Sequence, residues 1–235
     1  MTATQTRMQP LIALRALNRL LADPEQTHEV FNVIRALSGS ALQRGYVRFS
    51  ATKVGQKVLR EKLDLIDALE DQNTLAALPA NTLGRHYLNF VTTEAITAGG
   101  LVSASEDPEF QNLSSDMARF GARQRDMHDL WHTLTQYGRD ELGEVCLLAF
   151  TYAQTKNRGV GAICIAGCMK LSKFYGARVY RAAWQAYRDG QQAAWLPAQD
   201  WETLLTVPIK DVRHRLGLPS PRRYDALRYA QAAAA

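Results

Sequence analysis

Apolar residues recur every three or four positions through most of the chain, and this spacing predicts α-helices. It is plainest near the start, where Leu11, Leu14, Leu17 and Leu21 share one helical period. The predicted helices run over the first 22 residues, from Asp23 to Gly39, from Val58 to about Asp71, from Leu83 to Ile96, from Ser114 or Ser115 to about Tyr137, from Glu141 to Gln154, from Val160 to Arg188, from Trp201 to Leu205 and from Pro208 to Gly217. The segment between Gly45 and Gly55 shows no clear period, and the residues after Gly217 are predicted to form a loop-like tail.

Capping residues support several of these boundaries. Asp140 and Asp200 precede apolar periods, where a carboxylate can accept hydrogen bonds from the first free N–H groups of a helix. Gly39, Gly138 and Gly217 follow such periods, where glycine commonly ends a helix. No run of alternating β-branched residues predicts a strand. We therefore expect an all-α fold, a single-domain helical bundle with a basic amphipathic helix at residues 1–22, the helical domain at 23–218 and a tail at 219–235.

The composition fits one globular core and an anionic partner. Of the 235 residues 46% are hydrophobic, and the formal net charge is +5, which favours nucleic acid, acidic lipid or a carboxylated substrate. No apolar run approaches the ~20 residues of a membrane-spanning helix. Cys146, Cys164 and Cys168 lie in apolar segments, so we expect a reducing compartment and packing roles rather than disulfides or a metal pair.

Basic residues cluster near both ends of the chain. Arg7, Arg15 and Arg19 precede the first acidic residue, Asp23, which is typical of a transit peptide, of a membrane-surface helix or of an ordinary packed helix. A second basic cluster could face anionic phospholipid or simply be solvated: Lys210, Arg213, Arg215, Arg222 and Arg223.

The most specific feature is a candidate metal site formed by His128, Asp129, His132 and Glu144. Histidines four residues apart lie one turn from each other on a helix, so both imidazoles can reach one cation. Asp129 is about 100° round the helix from His128, and Glu144 follows in the first turn of the next predicted helix. Two imidazoles and two carboxylates suit zinc, manganese or ferrous iron better than calcium, and we expect zinc first.

The histidine pattern has two other interpretations. A zinc peptidase would carry Glu directly after the first histidine, where this chain has the shorter Asp129. Alternatively, His128 and His132 are ordinary polar residues on a half-buried helix.

The metal pattern also carries a family resemblance. The run from His128 to His132, with Gly143 and Glu144, resembles the metal motif of the coenzyme Q biosynthesis protein four family. The resemblance covers most of the chain, since four further stretches are similar: Asp23-Pro24 through Gly39, Leu83-Gly84-Arg85, the run from Ala149 to Gln154, and Trp201 through Gly217. Gln136 departs from the family pattern, which usually has Gly there before the turn.

The resemblance implies a role in ubiquinone biosynthesis at a membrane surface. The family is associated with metal-dependent oxidative decarboxylation of a polyprenylated hydroxybenzoate, in which a hydroxyl replaces the carboxylate at ring carbon one. The alternative role is a non-catalytic scaffold that binds isoprenoid lipid and organises other ubiquinone biosynthesis enzymes. Expected partners are therefore a polyprenylated aromatic, an anionic membrane surface, other proteins of the route and a second copy of the chain. The expected location is the bacterial inner membrane, or the matrix side of the mitochondrial one.

Three residues near the motif are candidates for substrate binding. Arg125 lies three residues before His128 on the same helical face and could meet a substrate carboxylate. Gln136 would lie on the metal face if the helix continues so far, or it shifts the helix end. Tyr137 could line an isoprenoid channel, although such aromatics are often core residues.

Two further function classes are weaker. A DNA-binding protein fits the positive charge, but no helix-turn-helix with a basic recognition helix is evident, so we expect no nucleic-acid partner. Hydrolysis of a lipid phosphate would use the same metal ligands and would differ from decarboxylation in releasing phosphate.

Overall fold

The computed structural model describes residues 8–22, 27–96 and 114–232, and these ranges are almost entirely helical. The helices are α1 (Pro10–Ala22), α2 (Thr27–Ser38), α3 (Ala41–Ser50), α4 (Lys53–Glu61), α5 (Leu65–Glu70), α6 (Gln72–Ala77), α7 (Leu83–Thr93), α8 (Ser115–Thr135), α9 (Glu141–Thr155), α10 (Arg158–Tyr175), α11 (Arg178–Gln192), α12 (Trp201–Leu204), α13 (Ile209–Leu216) and α14 (Arg222–Ala232). A short 3₁₀ turn spans Leu196–Ala198. In the described ranges β-pairing is limited to an isolated bridge between Thr82 and Pro208, which confirms the all-α prediction.

Most of the predicted caps are present where the structure describes them, but Gly138 does not end α8, because the left-handed residue that follows this helix is Gln136. The Asp140 carboxylate accepts from the Gly143 N–H at 3.0 Å and begins α9. Ser114 caps α8 in the same way, and Asp200 caps α12. Gly217 ends α13 with a left-handed backbone at φ 67°. The start predicted at Asp23 for the second helix lies outside the described residues.

The structure differs from the helix predictions in four other stretches. The segment without a clear period belongs largely to α3 and α4. The single helix predicted from Val58 to Asp71 is two, the end of α4 and the whole of α5, because Lys62 takes the left-handed conformation after α4; a further helix, α6, begins after Asp71. The helix predicted from Val160 to Arg188 breaks after Tyr175, where Gly176 has φ +58°, a conformation that side chains disfavour. The tail predicted as a loop contains α14.

None of the described helices combines the length and the apolar character needed to cross a membrane. The chain divides into two compact units: unit 1 comprises residues 1–42, 137–192 and 220–235, and unit 2 comprises residues 43–136 and 193–219. The division into residues 1–22, 23–218 and 219–235 stays a prediction.

In unit 1, α1 and α2 pack against α10 around a buried cluster of Ala16, Leu20, Val33 and Ile163. Helices α2 and α10 approach each other very closely. A Cβ added at Gly159 would lie only 2.4 Å from the Ile34 Cα. The absence of a side chain at this one position therefore permits the helix crossing.

An ion pair joins α1 to α2 at the edge of this cluster. The Arg19 guanidinium donates to both carboxylate oxygens of Glu29, whose side chain is buried. Arg19 lowers the pKa of Glu29 to about 2, so the carboxylate stays charged over the physiological range.

Unit 2 surrounds α8, which carries the histidine pair. Buried side chains line this helix on several sides, among them Phe120, Met127, Leu130 and Leu134. The Trp201 indole N–H, from α12, approaches the Met127 sulfur at 2.7 Å. Arg123 is 1% exposed and binds both Glu202 oxygens, at 2.6 and 2.8 Å. Helix α8 is thus fixed in unit 2 by both apolar contacts and a buried ion pair.

Candidate metal centre

The C-terminal half of α8 places three potential ligands together. The nearest ligand atoms of His128, Asp129 and His132 all lie within 4.8 Å of one another, and the two imidazole centroids are also 4.8 Å apart. His132 is 1% exposed and Asp129 5%, whereas His128 is half-buried. The cluster therefore has a buried floor and one side nearer to solvent.

The donor atoms of this cluster fit a divalent transition metal. Two imidazole nitrogens and a carboxylate oxygen are the donor set that zinc, iron and manganese accept, and three protein ligands leave positions open for substrate. His128 Nδ1 and Asp129 Oδ1 lie 3.1 Å apart, so a neutral imidazole protonated at Nδ1 can donate a hydrogen bond to the carboxylate. A histidine nitrogen that binds a metal ion carries no proton. A metal ion and a proton would therefore compete for the same ring nitrogen. That these residues bind a metal stays a prediction.

Helix α7 supplies two aromatic side chains that the sequence did not single out for the site. The Phe90 ring stacks on the His132 imidazole, with centroids 5.6 Å apart and planes 20° apart. Tyr87 lies one turn earlier and is buried. Burial, followed by the negative charges of Asp129 and Asp126, raises the pKa of the Tyr87 phenol. Its O–H therefore stays protonated beside the two carboxylates.

Arg125, predicted to bind a substrate carboxylate, pairs with a neighbour. Its Nε donates to the buried Asp126 carboxylate at 2.9 Å, and a second guanidinium nitrogen lies 2.8 Å from the same oxygen. Burial raises the pKa of Asp126, and the Arg125 charge opposes that shift. Arg125 thus neutralises a buried carboxylate next to the cluster, and its contact with substrate stays a prediction.

Gln136 ends α8 instead of extending it. The residue takes the left-handed conformation with φ 65°, donates its N–H to the His132 carbonyl at 2.9 Å and is exposed. The helix therefore ends before Gln136, as in the alternative of a shifted helix end, and a contact of the Gln136 side chain with substrate stays a prediction. Glycine, which the family usually has at this position, would adopt the left-handed conformation without strain.

Tyr137 and Glu144 belong to unit 1. The Tyr137 ring is buried and packs edge-on against Tyr224, with centroids 5.5 Å apart. The Tyr224 hydroxyl accepts from the Gly138 N–H at 3.0 Å and donates to Asp140 at 2.5 Å, so this turn is fixed from α14. Glu144 lies in the first turn of α9. Its role as fourth ligand and the role of Tyr137 toward substrate stay predictions.

The three cysteines lie in unit 1 and are buried as free thiols. Burial raises the pKa of the Cys146 thiol, and Cys164 approaches the Val145 carbonyl at 3.6 Å. Among the described residues, the cluster on α8 is the one group of three His, Cys, Asp or Glu side chains close enough to share a metal ion.

Comparison with known proteins identifies the family. The model of the coenzyme Q (ubiquinone) biosynthesis protein Coq4 family matches residues 3–222. The chain belongs to this family. The Coq4 resemblance seen in the sequence is thereby confirmed, and with it membership of a ubiquinone biosynthesis family.

Curated relatives carry the same family name. The mitochondrial ubiquinone biosynthesis protein COQ4 of Debaryomyces hansenii is 25% identical over 171 residues, which are 72% of this chain and 51% of that protein. Its Neurospora crassa counterpart, also named mitochondrial, is 29% identical over 168 residues, or 71% of this chain and 47% of that protein. The chain thus spans about half the length of these relatives.

A solved structure shares the fold. The crystal structure of a Nostoc punctiforme protein, provisionally described as a ubiquinone biosynthesis protein, superposes with a TM-score of 0.67. It covers 91% of this chain and 100% of its own, at 22% identity. At that identity the likeness shows the architecture alone.

Proposed function

We propose that this Coq4-family chain catalyses the metal-dependent oxidative decarboxylation of a polyprenylated hydroxybenzoate, replacing the ring carboxylate with a hydroxyl. The observation that carries the proposal is the trio His128, Asp129 and His132, whose ligand atoms lie within 4.8 Å on one buried helix. Family membership supplies the pathway, and the donor set supplies the class of chemistry. Glu144 is the proposed fourth ligand.

The site's own side chains would do three things for this reaction. Phe90 stacks on His132 and fixes the plane of that imidazole. The buried Tyr87 phenol stays protonated and can donate a hydrogen bond to a developing ring oxygen. Arg125 balances the Asp126 charge and keeps the surroundings of the site from becoming too negative to receive a carboxylate.

The conversion is an oxidation and needs an electron acceptor. The carbon–carbon bond to the carboxylate breaks with release of carbon dioxide, and water supplies the hydroxyl that the ring carbon gains. The two electrons lost by the ring, with two protons, convert dioxygen, which we name as the oxidant, to hydrogen peroxide. A bound divalent cation supplies Lewis acidity toward the carboxylate and adjacent ring oxygen, with zinc as the first expectation and redox-active iron or manganese as alternatives.

Membrane association and self-association are part of the proposal. A prenylated aromatic partitions into the bilayer, so its enzyme must work at that surface, on the bacterial inner membrane or the matrix side of the mitochondrial one. We propose peripheral binding to anionic lipid, a homodimer and contact with other ubiquinone biosynthesis proteins. The net charge of +5 supports the lipid contact.

The scaffold role is the second candidate, and exposed apolar side chains on unit 1 favour it. Leu11, Ile12 and Leu14 are exposed on α1, and Ile165 and Met169 on α10. Apolar side chains that face solvent in this number suit binding to lipid or to another protein.

Complementation of a null strain separates the two candidates. Cells without the protein should accumulate a prenylated aromatic that still carries its ring carboxylate, and wild type should restore ubiquinone. His132→Ala and Glu144→Ala should fail to restore it at equal abundance, whereas His214→Ala, an exposed histidine on α13, should succeed. Full recovery of ubiquinone by folded His132→Ala and Glu144→Ala would end the catalytic proposal and favour the scaffold.

A further inference from the structure

Unit 1 carries a groove between α11 and α14 that the proposed chemistry does not use. Its volume is about 660 Å³, and six residues line it: Tyr180, Arg181, Trp184, Gln185, Arg222 and Arg223. The four from α11 are on one helical face, since they are spaced by one and four positions. The backbone N–H of Arg223 donates to the Gln185 side-chain oxygen at 3.0 Å, which ties the start of α14 to α11.

The charge of this groove is one-sided. Three of its six lining residues are arginines, and none is acidic. Like charges that line one groove repel each other, so an anion bound in the groove reduces that repulsion. A guanidinium presents a planar fork of N–H donors that matches phosphate oxygens. The groove therefore complements a phosphate group in both charge and geometry.

Two exposed aromatic side chains flank the arginines. Trp184 is 62% exposed and Tyr180 is 44% exposed, one turn apart on α11 with Arg181 between them in sequence. Tryptophan and tyrosine are the residues enriched at the boundary between lipid headgroups and hydrocarbon, because their rings are apolar and their N–H or O–H groups are polar. Arginine beside exposed Trp and Tyr is therefore typical of a protein surface that contacts lipid headgroups.

We propose that this groove is the place where the chain binds an anionic bilayer, with lipid phosphates at Arg181, Arg222 and Arg223 and with Tyr180 and Trp184 in the headgroup layer. The inference rests on the proposed membrane association and assigns it to one face of unit 1. The basic cluster seen near the end of the sequence is thereby divided. Arg222 and Arg223 line the groove, whereas Arg213 donates to the carbonyls of Leu134 and Pro219 and is a structural residue of unit 2.

Vesicle binding by the full chain tests the assignment. Wild type is sedimented with vesicles of phosphatidylcholine containing phosphatidylglycerol, and with pure phosphatidylcholine. The groove variant carries Arg181→Gln, Arg222→Gln and Arg223→Gln. The matched control carries Lys53→Gln, Lys210→Gln and Arg215→Gln, three exposed basic residues of unit 2, so both variants lose the same net charge.

The groove variant should bind anionic vesicles roughly a hundredfold more weakly than wild type, because each of the three basic residues at the surface contributes about a fivefold effect. The control should lose only the small part due to net charge. If wild type does not bind anionic vesicles, both the proposed membrane association and the groove assignment are wrong. If the two variants bind equally well, the groove assignment alone is wrong.

Tryptophan fluorescence gives a second readout that does not depend on removing charge. Of the four tryptophans, Trp131 and Trp201 are buried and Trp195 lies under the Arg48 guanidinium at 4.0 Å, so Trp184 is the exposed one. Phospholipids brominated on the acyl chain should quench wild-type fluorescence, and Trp184→Phe should remove that quenching. Equal quenching in Trp184→Phe would overturn the proposal.

Two further outcomes would also overturn it. Inorganic phosphate that protects the groove arginines from chemical modification, without any protection by anionic vesicles, would mean a soluble phosphate ligand. A groove variant that binds vesicles like wild type but loses a co-purifying protein would mean a protein interface.

Discussion

The buried ion pair between Arg123 and Glu202 should stabilise the helix that carries the candidate metal site. Arg123 is 1% exposed, and its guanidinium binds both Glu202 oxygens and the Gln199 carbonyl, the latter at 3.2 Å. Glu202→Gln keeps the shape of the side chain but leaves the buried guanidinium without its counter-charge. Breaking a buried pair costs about 3–5 kcal/mol of unfolding free energy, and we expect about 3 here because the Glu202 side chain is 23% exposed.

A surface pair in the same unit is the control for this prediction. Arg60 and Glu61 lie 2.8 Å apart with side chains 69% and 43% exposed, so Glu61→Gln should cost at most about 1 kcal/mol. Urea unfolding followed by circular dichroism gives the change in unfolding free energy for both variants, compared at equal dependence of that free energy on urea concentration. Costs for the two variants that agree within about 0.5 kcal/mol would refute the role assigned to the buried pair.

Three further predictions concern the fold and the site. Because the folded-state pKa of Glu29 is about 2, its contribution to stability is present above about pH 4.5 and is lost as pH falls through about 2; denaturant titrations at several pH values should show this. Phe90→Ala removes the ring stacked on His132, and zinc affinity measured by competition with a chelating dye should fall about tenfold. Gln136→Gly relieves a left-handed backbone and should raise the unfolding free energy by about 1 kcal/mol.

Each of these has a matched control. Glu29→Gln should flatten the acidic part of the stability profile, and an unchanged slope would contradict the assignment to Glu29. Phe174→Ala, at an exposed position of unit 1, should leave zinc affinity intact; an equal loss in both phenylalanine variants would remove the stacking argument. Gln124→Gly, within α8, should lower stability by about 1 kcal/mol. The same sign at positions 124 and 136 would disprove the role of the helix end.

Local signals in the sequence were enough for the helices with strong caps and for bringing the two histidines of α8 together. Asp140, Asp200 and Gly217 act through neighbours only two to four positions away, so their roles are readable without the fold. The same is true of His128 and His132, which one helical turn brings together. The break at Gly176 was missed because glycine within a long apolar period is ambiguous until the backbone is known.

Contacts between distant segments could not be read in this way. Phe90 contacts His132 from α7, and the charge of Asp129 acts on Tyr87 of the same helix, but the spacing of these two residues alone marks them only as core aromatics. Arg125 shares a helical face with His128, but its preference for the adjacent buried Asp126 depends on how α8 is packed. Helix α14 was missed since its apolar residues are few, and its position depends on Tyr224 reaching Gly138 and Asp140.

The most direct test of the central claim is the metal content of the purified chain. Protein prepared without chelators and equilibrated with zinc should hold about one ion per chain by elemental mass spectrometry, and iron and manganese should be measured in the same samples. His128→Ala, His132→Ala and Glu144→Ala should each reduce occupancy at least about tenfold at limiting metal, whereas His214→Ala should match wild type. Unchanged metal content in all three ligand variants, folded as judged by circular dichroism, would contradict the account.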